Sequence, residues 1–592
     1  MKKIVILIAL CVAMASCKKG SDFLDSKADT GETEATVFAD SIKTMRFLTQ
    51  IYSGVGYSFN KGRFSSHGNT EVSTDDAEYA YSGVAQNAVI LYNGSLSPTT
   101  FWSNATPPAL PDFWSTPYSN IRRVNLMLSK LPTTPLNVAT KRRITGELKY
   151  LRAWYYHFLL INFGGVPIEG DAVYGINDII DLPRSSFQAT VDYIVSECDA
   201  AAAILPAPNQ PAPAGYQEQD YGRATKGACL ALKSRVLLYA ASPLFNGGAI
   251  AQASATVKPL VSYPTYNVSY WQKAADAAND VINSNYYALN EDNTTAPGYG
   301  FYNVFLKRVN SEYIFNFNRG NNRDMEGYYN PPSRGGAKNS TPTQQLVDAF
   351  PMKNGKAITD PTSGYDPANP YVNRDPRFGY SIIYNQSLYY STSTSSKIAV
   401  NTYTGAASDG FTTNGTGPTT TGYYARKMCD ENISSNSSFN TERGWPLIRY
   451  AEILLNYAEA INETGQTVLA YPKLIDIRRR AGITAGADNL YGLKANMTVA
   501  EMRTVIQNER RVELMNEDHR WNDIRRWKIA EVVNNGYNKA MNITRIGTTG
   551  ANFTYQVVNT IRMHVFGPQH YLCPIPQSEV SKMPSMVQNP GY

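Results

Sequence analysis

Histidine and cysteine, the side chains most used as metal ligands and nucleophiles, are scarce in this sequence, with five and six among 592 residues. No two cysteines form a C-x-x-C pair, and the histidines show no metal-ligand spacing. The sequence therefore predicts neither a metal site nor a disulfide scaffold. The sequence leaves open whether two of the four cysteines that follow Cys17 form a disulfide in an oxidising compartment; these are Cys198, Cys229, Cys429 and Cys573.

Motifs of catalysis and of nucleic-acid binding are also missing. H-E-x-x-H and G-x-S-x-G do not occur, and Gly222 to Gly227 has the spacing of a phosphate loop but continues with Ala228 instead of lysine. The 55 basic and 49 acidic residues are interspersed, with a net charge of +6, so no basic face is predicted. The sequence nominates no catalytic residue and no cofactor, and we expect no nucleic-acid partner.

The densest group of ionisable residues raises the question of acid–base catalysis. Glu509, Glu513 and Glu517 recur every four residues and would share one helical face. Like charges at this spacing repel, so they need arginines, and Arg478 to Arg480 are candidates. We expect an ion-paired wall between helices. His157, within an aromatic helix, is expected to be packed in the interior and not catalytic.

Only one long hydrophobic run occurs, at the start of the chain. Two lysines precede 11 apolar residues, Ile4 to Met14, which are too few to span a bilayer and are typical of a secretory signal. Met14 to Cys17 resembles a bacterial lipobox, which predicts a signal peptide at 1–16 and lipid attachment at Cys17. The polar segment 17–34 then predicts a flexible tether. Ordinary cleavage after Ala15 remains the alternative.

Apolar residues at steps of three and four predict a mainly α fold. The helices come in pairs with many small residues, which is typical of a tetratricopeptide-like superhelix. Residues 290–440 are rich in Gly, Ser, Thr and Asn and predict loop-rich insertions with a few short strands, at Tyr313–Phe317 and Ile382–Tyr384. The predicted helices are Glu34–Tyr52, Phe113–Leu128, Lys141–Phe163, Thr190–Leu205, Thr225–Ala241, Tyr270–Ser284, Trp445–Glu463, Ala470–Ala481 and Val499–Ile529.

Several short sequence motifs, taken in order along the chain, resemble those of one family, the SusD/RagB outer-membrane nutrient-binding lipoproteins. The resemblance rests on their joint order, since no single motif is specific. They are Glu147–Ala153, Phe163–Pro167, Gly222–Gly227, Ala241–Phe245, Arg374–Phe378, Arg449–Ala460, Arg479–Gly482, Glu509–Trp527, Pro574–Pro576 and Gln588–Tyr592.

The resemblance implies a surface lipoprotein of a glycan-foraging Gram-negative bacterium. Members sit as a lid on a SusC-like TonB-dependent transporter, with four tetratricopeptide-like helix pairs facing that partner and loops that bind ligand. It implies an N-terminal half at 35–289 and a C-terminal half at 290–592. Within the second half, composition predicts that residues 290–440 are loop-rich, and apolar spacing predicts that 441–592 are helical. We therefore expect an acylated protein of the outer membrane, facing the exterior, that binds an oligosaccharide and delivers it to the transporter.

The ligand site is expected in two polar, aromatic stretches, Asp75–Trp102 and Asn318–Arg334. Sugar rings stack on aromatic faces while their hydroxyl groups bond to Asn and Arg. The candidate residues are Tyr79, Tyr81, Trp102, Asn321, Arg323, Tyr328 and Tyr329. Ordinary surface loops are the alternative for each of them. For the whole chain, a peptide-binding member of the family and an assembly subunit without ligand remain open, and a glycan hydrolase is disfavoured.

Overall fold

The computed structural model describes most of the chain after residue 31. The described residues are 32–56, 69–79, 87–100, 113–175, 177–208, 220–248, 250, 254–412, 417–433, 441–548 and 550–592. Cys17, Tyr81 and Trp102 lie outside them, as do the signal peptide and residues 17–31 of the tether. Across the described residues, no helix is both long and apolar enough to cross a membrane.

The scaffold is built from α-helices, as the hydrophobic periodicity predicts. They are α1 Glu34–Phe38, α2 Ser41–Ser53, α3 Asn87–Tyr92, α4 Ser115–Lys130, α5 Val138–Phe163, α6 Phe187–Ala202, α7 Lys226–Ala241, α8 Lys258–Val261, α9 Ser269–Asn283, α10 Tyr299–Val304, α11 Asp324–Tyr329, α12 Gln344–Ala349, α13 Pro376–Ser381, α14 Tyr450–Glu463, α15 Tyr471–Arg480, α16 Val499–Glu513, α17 Arg520–Arg526, α18 Ala530–Val533 and α19 Gln577–Lys582. Five 3₁₀ turns are described, at Thr70–Ser73, Leu131–Thr133, Pro332–Arg334, Thr467–Ala470 and Pro568–Tyr571.

The longer helices pack side by side in one row. Helix α4 packs on α5, α5 on α6, α6 on α7, α7 on α9, α9 on α14, and α14 on α15 and α16. Small residues on α9, such as Ala274 and Ala278, are buried in these contacts and let the helices approach closely. The chain leaves the row after α9 and returns at α14. The mainly α fold of paired helices with loop-rich insertions is confirmed.

The strands are short and form two-stranded antiparallel sheets. The longest pairs are β2 with β8, where Phe317 lies opposite Trp445, and the hairpin of β9 with β10. The described strands are β1 Ala77–Glu78, β2 Tyr313–Asn322, β3 Thr341–Pro342, β4 Ile382–Ile383, β5 Leu388–Ser391, β6 Ser396–Ala399, β7 Tyr424–Ala425, β8 Thr441–Arg449, β9 Gly536–Arg545 and β10 Phe553–His564.

Two predicted helices are wrong in their continuity. The one predicted at Glu34–Tyr52 is interrupted at Asp40, which caps α2 by accepting from the Ile42 and Lys43 amides at 2.7 and 2.9 Å. The one predicted at Val499–Ile529 ends at Glu513 and resumes at Arg520. Asn516 and Asp518 between them have left-handed backbone at φ 60° and 62°, which ends a right-handed helix.

Two other segments are strand where helix is predicted. Trp445 to Arg449 belongs to β8, and the helix begins at Tyr450. The β9–β10 hairpin lies within 441–592, which apolar spacing predicts to be helical. Each of these strands is stabilised by hydrogen bonds to its partner strand, so strand pairing outweighs the local helix propensity.

The four cysteines Cys198, Cys229, Cys429 and Cys573 are free and buried. Burial raises the pKa of each thiol, since the charged thiolate is disfavoured away from water. No disulfide therefore joins these four residues.

Candidate functional site

The two stretches predicted to bind ligand come near each other through residues that flank them. Strand β1 pairs with β3, placing Ala77 opposite Pro342 and Glu78 opposite Thr341. The Asn69 side chain also donates to the Tyr329 hydroxyl at 3.2 Å. Residues 69–79, which are all buried, are thus linked to Tyr329 of the second stretch and to β3, which follows that stretch. We refer to the described residues of the two stretches, together with β3, as the candidate face.

The first stretch is held on the helical scaffold by buried ion pairs. The Asp75 carboxylate lies 2.7 Å from Arg520 and 2.9 Å from Arg511, and Arg511 lies 2.6 Å from Asp76. Burial alone would raise the pKa of Asp75, but Arg511 and Arg520 outweigh it and hold the pKa below its usual value. An ionised carboxylate with two arginines fixes the backbone of this segment.

The second stretch is held by β8. Arg319 of β2 lies opposite Arg443 of β8, and Arg319 pairs with Asp324 at the start of α11. Arg443 in turn lies 2.6 Å from Glu326 and donates to the Met428 carbonyl at 2.7 Å. The segment after β2 is therefore held by one ion pair to Arg319 of β2 and by another to Arg443 of β8, and it is not a free surface loop.

The described candidate residues divide into buried and accessible ones. Tyr79, Tyr328 and Tyr329 are only 2%, 5% and 0% exposed, so their rings lie in the interior. Asn321 is exposed and Arg323 is half-buried. In this conformation the three tyrosines shape the face, and the polar side chains that reach solvent are those of Asn321 and Arg323.

A small cavity lies beside this face, between β2, β8 and α11. It is lined by Phe317, Asp324, Met325, Arg443 and Trp445, among others, and its volume is about 30 Å³. This is room for a water molecule or two and not for a sugar ring. Trp445 was missed because the sequence predicts it as the start of a helix, and Arg443 was missed because its contact with Glu326 depends on strand pairing with a segment far away in sequence.

The acidic cluster of α16 is an ion-paired wall, as expected. Glu513 lies 2.8 Å from Arg377 and 2.7 Å from Arg449, and it also pairs with Arg480; Glu509 lies 2.8 Å from Arg478. Burial opposes ionisation of Glu513, but the surrounding arginines outweigh it and lower the pKa well below its usual value. A carboxylate held ionised in this way does not serve as a proton donor near neutral pH.

Two details of this wall differ from expectation. Glu517 lies beyond the end of α16 and so does not share its helical face, yet it still pairs with Lys427 at 2.6 Å and Arg449 at 2.7 Å. Arg479, expected among the partners, points outward to Glu291 at 2.9 Å. The buried partners of the wall come mainly from β8, α13 and α15.

His157 is packed in the interior, as predicted. Its ring lies 5.9 Å from the ring of Trp154 and 5.4 Å from that of Phe158, and it is 2% exposed. Burial, together with the charge of Arg235, lowers the pKa of His157 well below its usual value. Within the described part of the chain, no group of three or more His, Cys, Asp or Glu is arranged to hold a metal ion.

Comparison with known proteins assigns relatives to both halves of the chain. The family model described as "SusD family" matches residues 301–592, and one described as "Starch-binding associating with outer membrane" matches residues 22–238. The SusD-like protein P38 of Formosa agariphila is 25% identical over 450 residues, covering 73% of this chain and 75% of that protein.

Solved structures share the fold over nearly the whole chain. A SusD-like protein of Bacteroides fragilis is 24% identical with a TM-score of 0.73, covering 95% of this chain and 99% of that one. A laminarin-binding SusD-like protein is 18% identical with a TM-score of 0.59, covering 94% and 100%. At these identities the structural likeness establishes the fold.

Proposed function

Because this chain belongs to the SusD family, we propose that it is an outer-membrane lipoprotein that binds an oligosaccharide and delivers it to a SusC-like TonB-dependent transporter. The observations that support the binding part are the pairing of β1, in the first stretch, with β3, just beyond the second stretch, and the hydrogen bond from Asn69 to Tyr329. These links join segments that start more than two hundred residues apart, and buried ion pairs hold each of the two segments in place. Such preorganisation lowers the entropic cost of binding.

The polar contacts to ligand are assigned to Asn321 and Arg323. Their amide and guanidinium groups suit sugar hydroxyl groups, and they stand at the outer end of β2, where solvent reaches them. Tyr81 and Trp102, which lie outside the described residues, are proposed to supply the aromatic surfaces on which sugar rings stack. Tyr79, Tyr328 and Tyr329 support this face from the interior.

The class of ligand is supported by the relatives. One structural neighbour is described as a laminarin-binding SusD-like protein and another as a surface glycan-binding protein A of Bacteroides fluxus. The ion-paired state of Glu509 and Glu513 agrees with binding without hydrolysis, because neither carboxylate is available as an acid. We propose that the protein makes and breaks no glycosidic bond.

Attachment to the outer membrane is assigned to acyl chains on Cys17, with the protein facing the exterior. More than one acyl chain is needed for stable anchoring. Labelling of intact cells with a membrane-impermeant reagent tests the orientation: labelled protein supports it, and protein labelled only after lysis contradicts it.

Calorimetry with a panel of oligosaccharides tests binding. The double variant Asn321→Ala/Arg323→Ala should weaken the affinity for the best ligand at least tenfold, because it removes hydrogen bonds to ligand, one of them to a charged group worth about 1.5–3 kcal/mol. The matched control is Asn283→Ala/Arg46→Ala, which removes one exposed asparagine side chain from α9 and one exposed arginine side chain from α2. Unchanged affinity in the first variant, or shortening of the glycan by wild type, would contradict the proposal.

A further inference from the structure

A second cavity lies in a different part of the molecule and is not used by the proposed function. It has a volume of about 470 Å³, within the range of small-molecule sites. Its walls come from the first turn of α4, the connection between α5 and α6, and the C-terminal helix α19. Its lining includes Trp114, Tyr118, Glu169, Asp178, Ile179 and Glu579.

The walls of this cavity are fixed by hydrogen bonds. Tyr118 donates to the Pro167 carbonyl at 2.8 Å, and Asn125 donates to the Ala172 carbonyl at 2.8 Å. On the other side, the Asp181 carboxylate accepts from the Ser585 hydroxyl at 2.5 Å, which ties the connection to the segment after α19. The cavity is therefore formed before any ligand arrives.

The lining combines apolar surface with an excess of negative charge. The rings of Trp114 and Tyr118 lie 5.1 Å apart, and Ile179 is 96% exposed at the rim. The lysine in the lining, Lys582, is paired with Glu579 at 3.0 Å. This leaves Glu169 and Asp178 without a cation among the residues that line the cavity.

Glu169 is the most informative of these residues. Its Oε2 atom is shielded from solvent and has no hydrogen-bond partner. Shielding of this carboxylate from water disfavours its charged form, and a cation seated on Glu169 where the residue lines the cavity would offset that cost through its charge. We propose that this cavity binds a small primary amine carried on an apolar body, with its ammonium group on Glu169 and its apolar part against Trp114, Tyr118 and Ile179.

The ionisation of Glu169 makes the binding pH-dependent. Burial raises the pKa of Glu169 to about 7, and the opposing charge of Arg122 lowers it less strongly. A cation favours the ionised form, so amine affinity should rise as the pH rises through 7. The other titratable groups near Glu169 or in the same cavity are Tyr118, Tyr156, Tyr193, Asp178, Glu579 and Lys582.

Calorimetry with benzylamine and its neutral analogue benzyl alcohol tests the proposal. On the full chain at pH 8, benzylamine should bind at least tenfold more tightly than benzyl alcohol. Between pH 8 and pH 6 its affinity should fall about tenfold, the change in the ionised fraction of a group with a pKa near 7. Equal binding of the two probes, or no binding of benzylamine, would overturn the proposal.

The variant Glu169→Gln separates charge from shape. It should lose the preference for benzylamine while keeping the wild-type affinity for benzyl alcohol, which reports that the cavity is intact. The control Glu34→Gln removes an exposed carboxylate on α1, paired with Lys130 at 3.5 Å, and should keep the preference. A preference for benzylamine that persists in Glu169→Gln would overturn the assignment. Glycan binding should be unchanged in both variants, so the two proposals fail independently.

Discussion

Replacing Glu513 by glutamine should destabilise the protein strongly, although the two side chains have the same shape. Glu513 is fully buried and accepts from Arg377 at 2.8 Å and from Arg449 at 2.7 Å, and it also pairs with Arg480. The glutamine amide removes the negative charge and turns an acceptor into a donor that faces arginines. Breaking a buried ion pair by removing one partner costs about 3–5 kcal/mol, and we expect a loss of that size.

The pH dependence of this loss follows from the lowered pKa of Glu513. A carboxylate with a lowered pKa in the folded state stabilises the protein above its unfolded pKa, which is about 4.3 for glutamate. That stabilisation is lost as the pH falls toward the folded value. The free energy of unfolding should therefore differ most between wild type and Glu513→Gln at pH 6–7, and the difference should shrink below pH 4.

Urea unfolding followed by circular dichroism measures the effect, and Glu501→Gln is a control on the same helix. Glu501 is the exposed residue of the capping box of α16 and pairs with Lys494 at 2.5 Å. Glutamine can keep the capping hydrogen bond, and exposed pairs contribute little, so the control should unfold like wild type. A Glu513→Gln variant as stable as wild type at pH 7 would refute the reasoning about the buried network.

Three further predictions concern other parts of the molecule. His157→Phe should lose less stability than wild type between pH 7 and pH 5, as measured by urea unfolding. Below about pH 6.5, the buried neutral histidine of wild type takes up a proton when the protein unfolds, whereas phenylalanine does not. Asp75→Asn should speed hydrogen exchange of the amides at 70–79 well before the helices open, because it weakens the pairs with Arg511 and Arg520; exchange equal to wild type would contradict this. Native protein should react with a thiol reagent far more slowly than unfolded protein at the four buried cysteines, and fast native labelling would count against their burial; these are Cys198, Cys229, Cys429 and Cys573.

The helices could be predicted well where their apolar stripes are local. The predicted Thr225–Ala241 and Tyr270–Ser284 each lie within a residue of the helices in the structure. Helix α9 carries its apolar stripe within the helix itself, whereas α7 is buried on nearly all sides and is recognised by its run of helix-forming residues before Pro243. The interruption after Glu513 was not predicted, because it depends on left-handed backbone at Asn516 and Asp518, which apolar spacing does not report.

The strands and the interior of the site depend on partners far away in sequence. Strand β8 forms because β2 pairs with it, although its own last residues read as the start of a helix. In the same way, Tyr329 is buried against Asn69, 260 residues away. Composition therefore predicts the two polar, aromatic stretches, but it does not show which of their aromatic rings face solvent.

A single titration tests whether Asn321 and Arg323 bind the glycan. The oligosaccharide that binds best to wild type is titrated calorimetrically into the Asn321→Ala/Arg323→Ala variant and into the Asn283→Ala/Arg46→Ala control. We expect at least a tenfold loss of affinity in the first and wild-type affinity in the second. Equal affinity in both would show that the ligand binds elsewhere on the molecule.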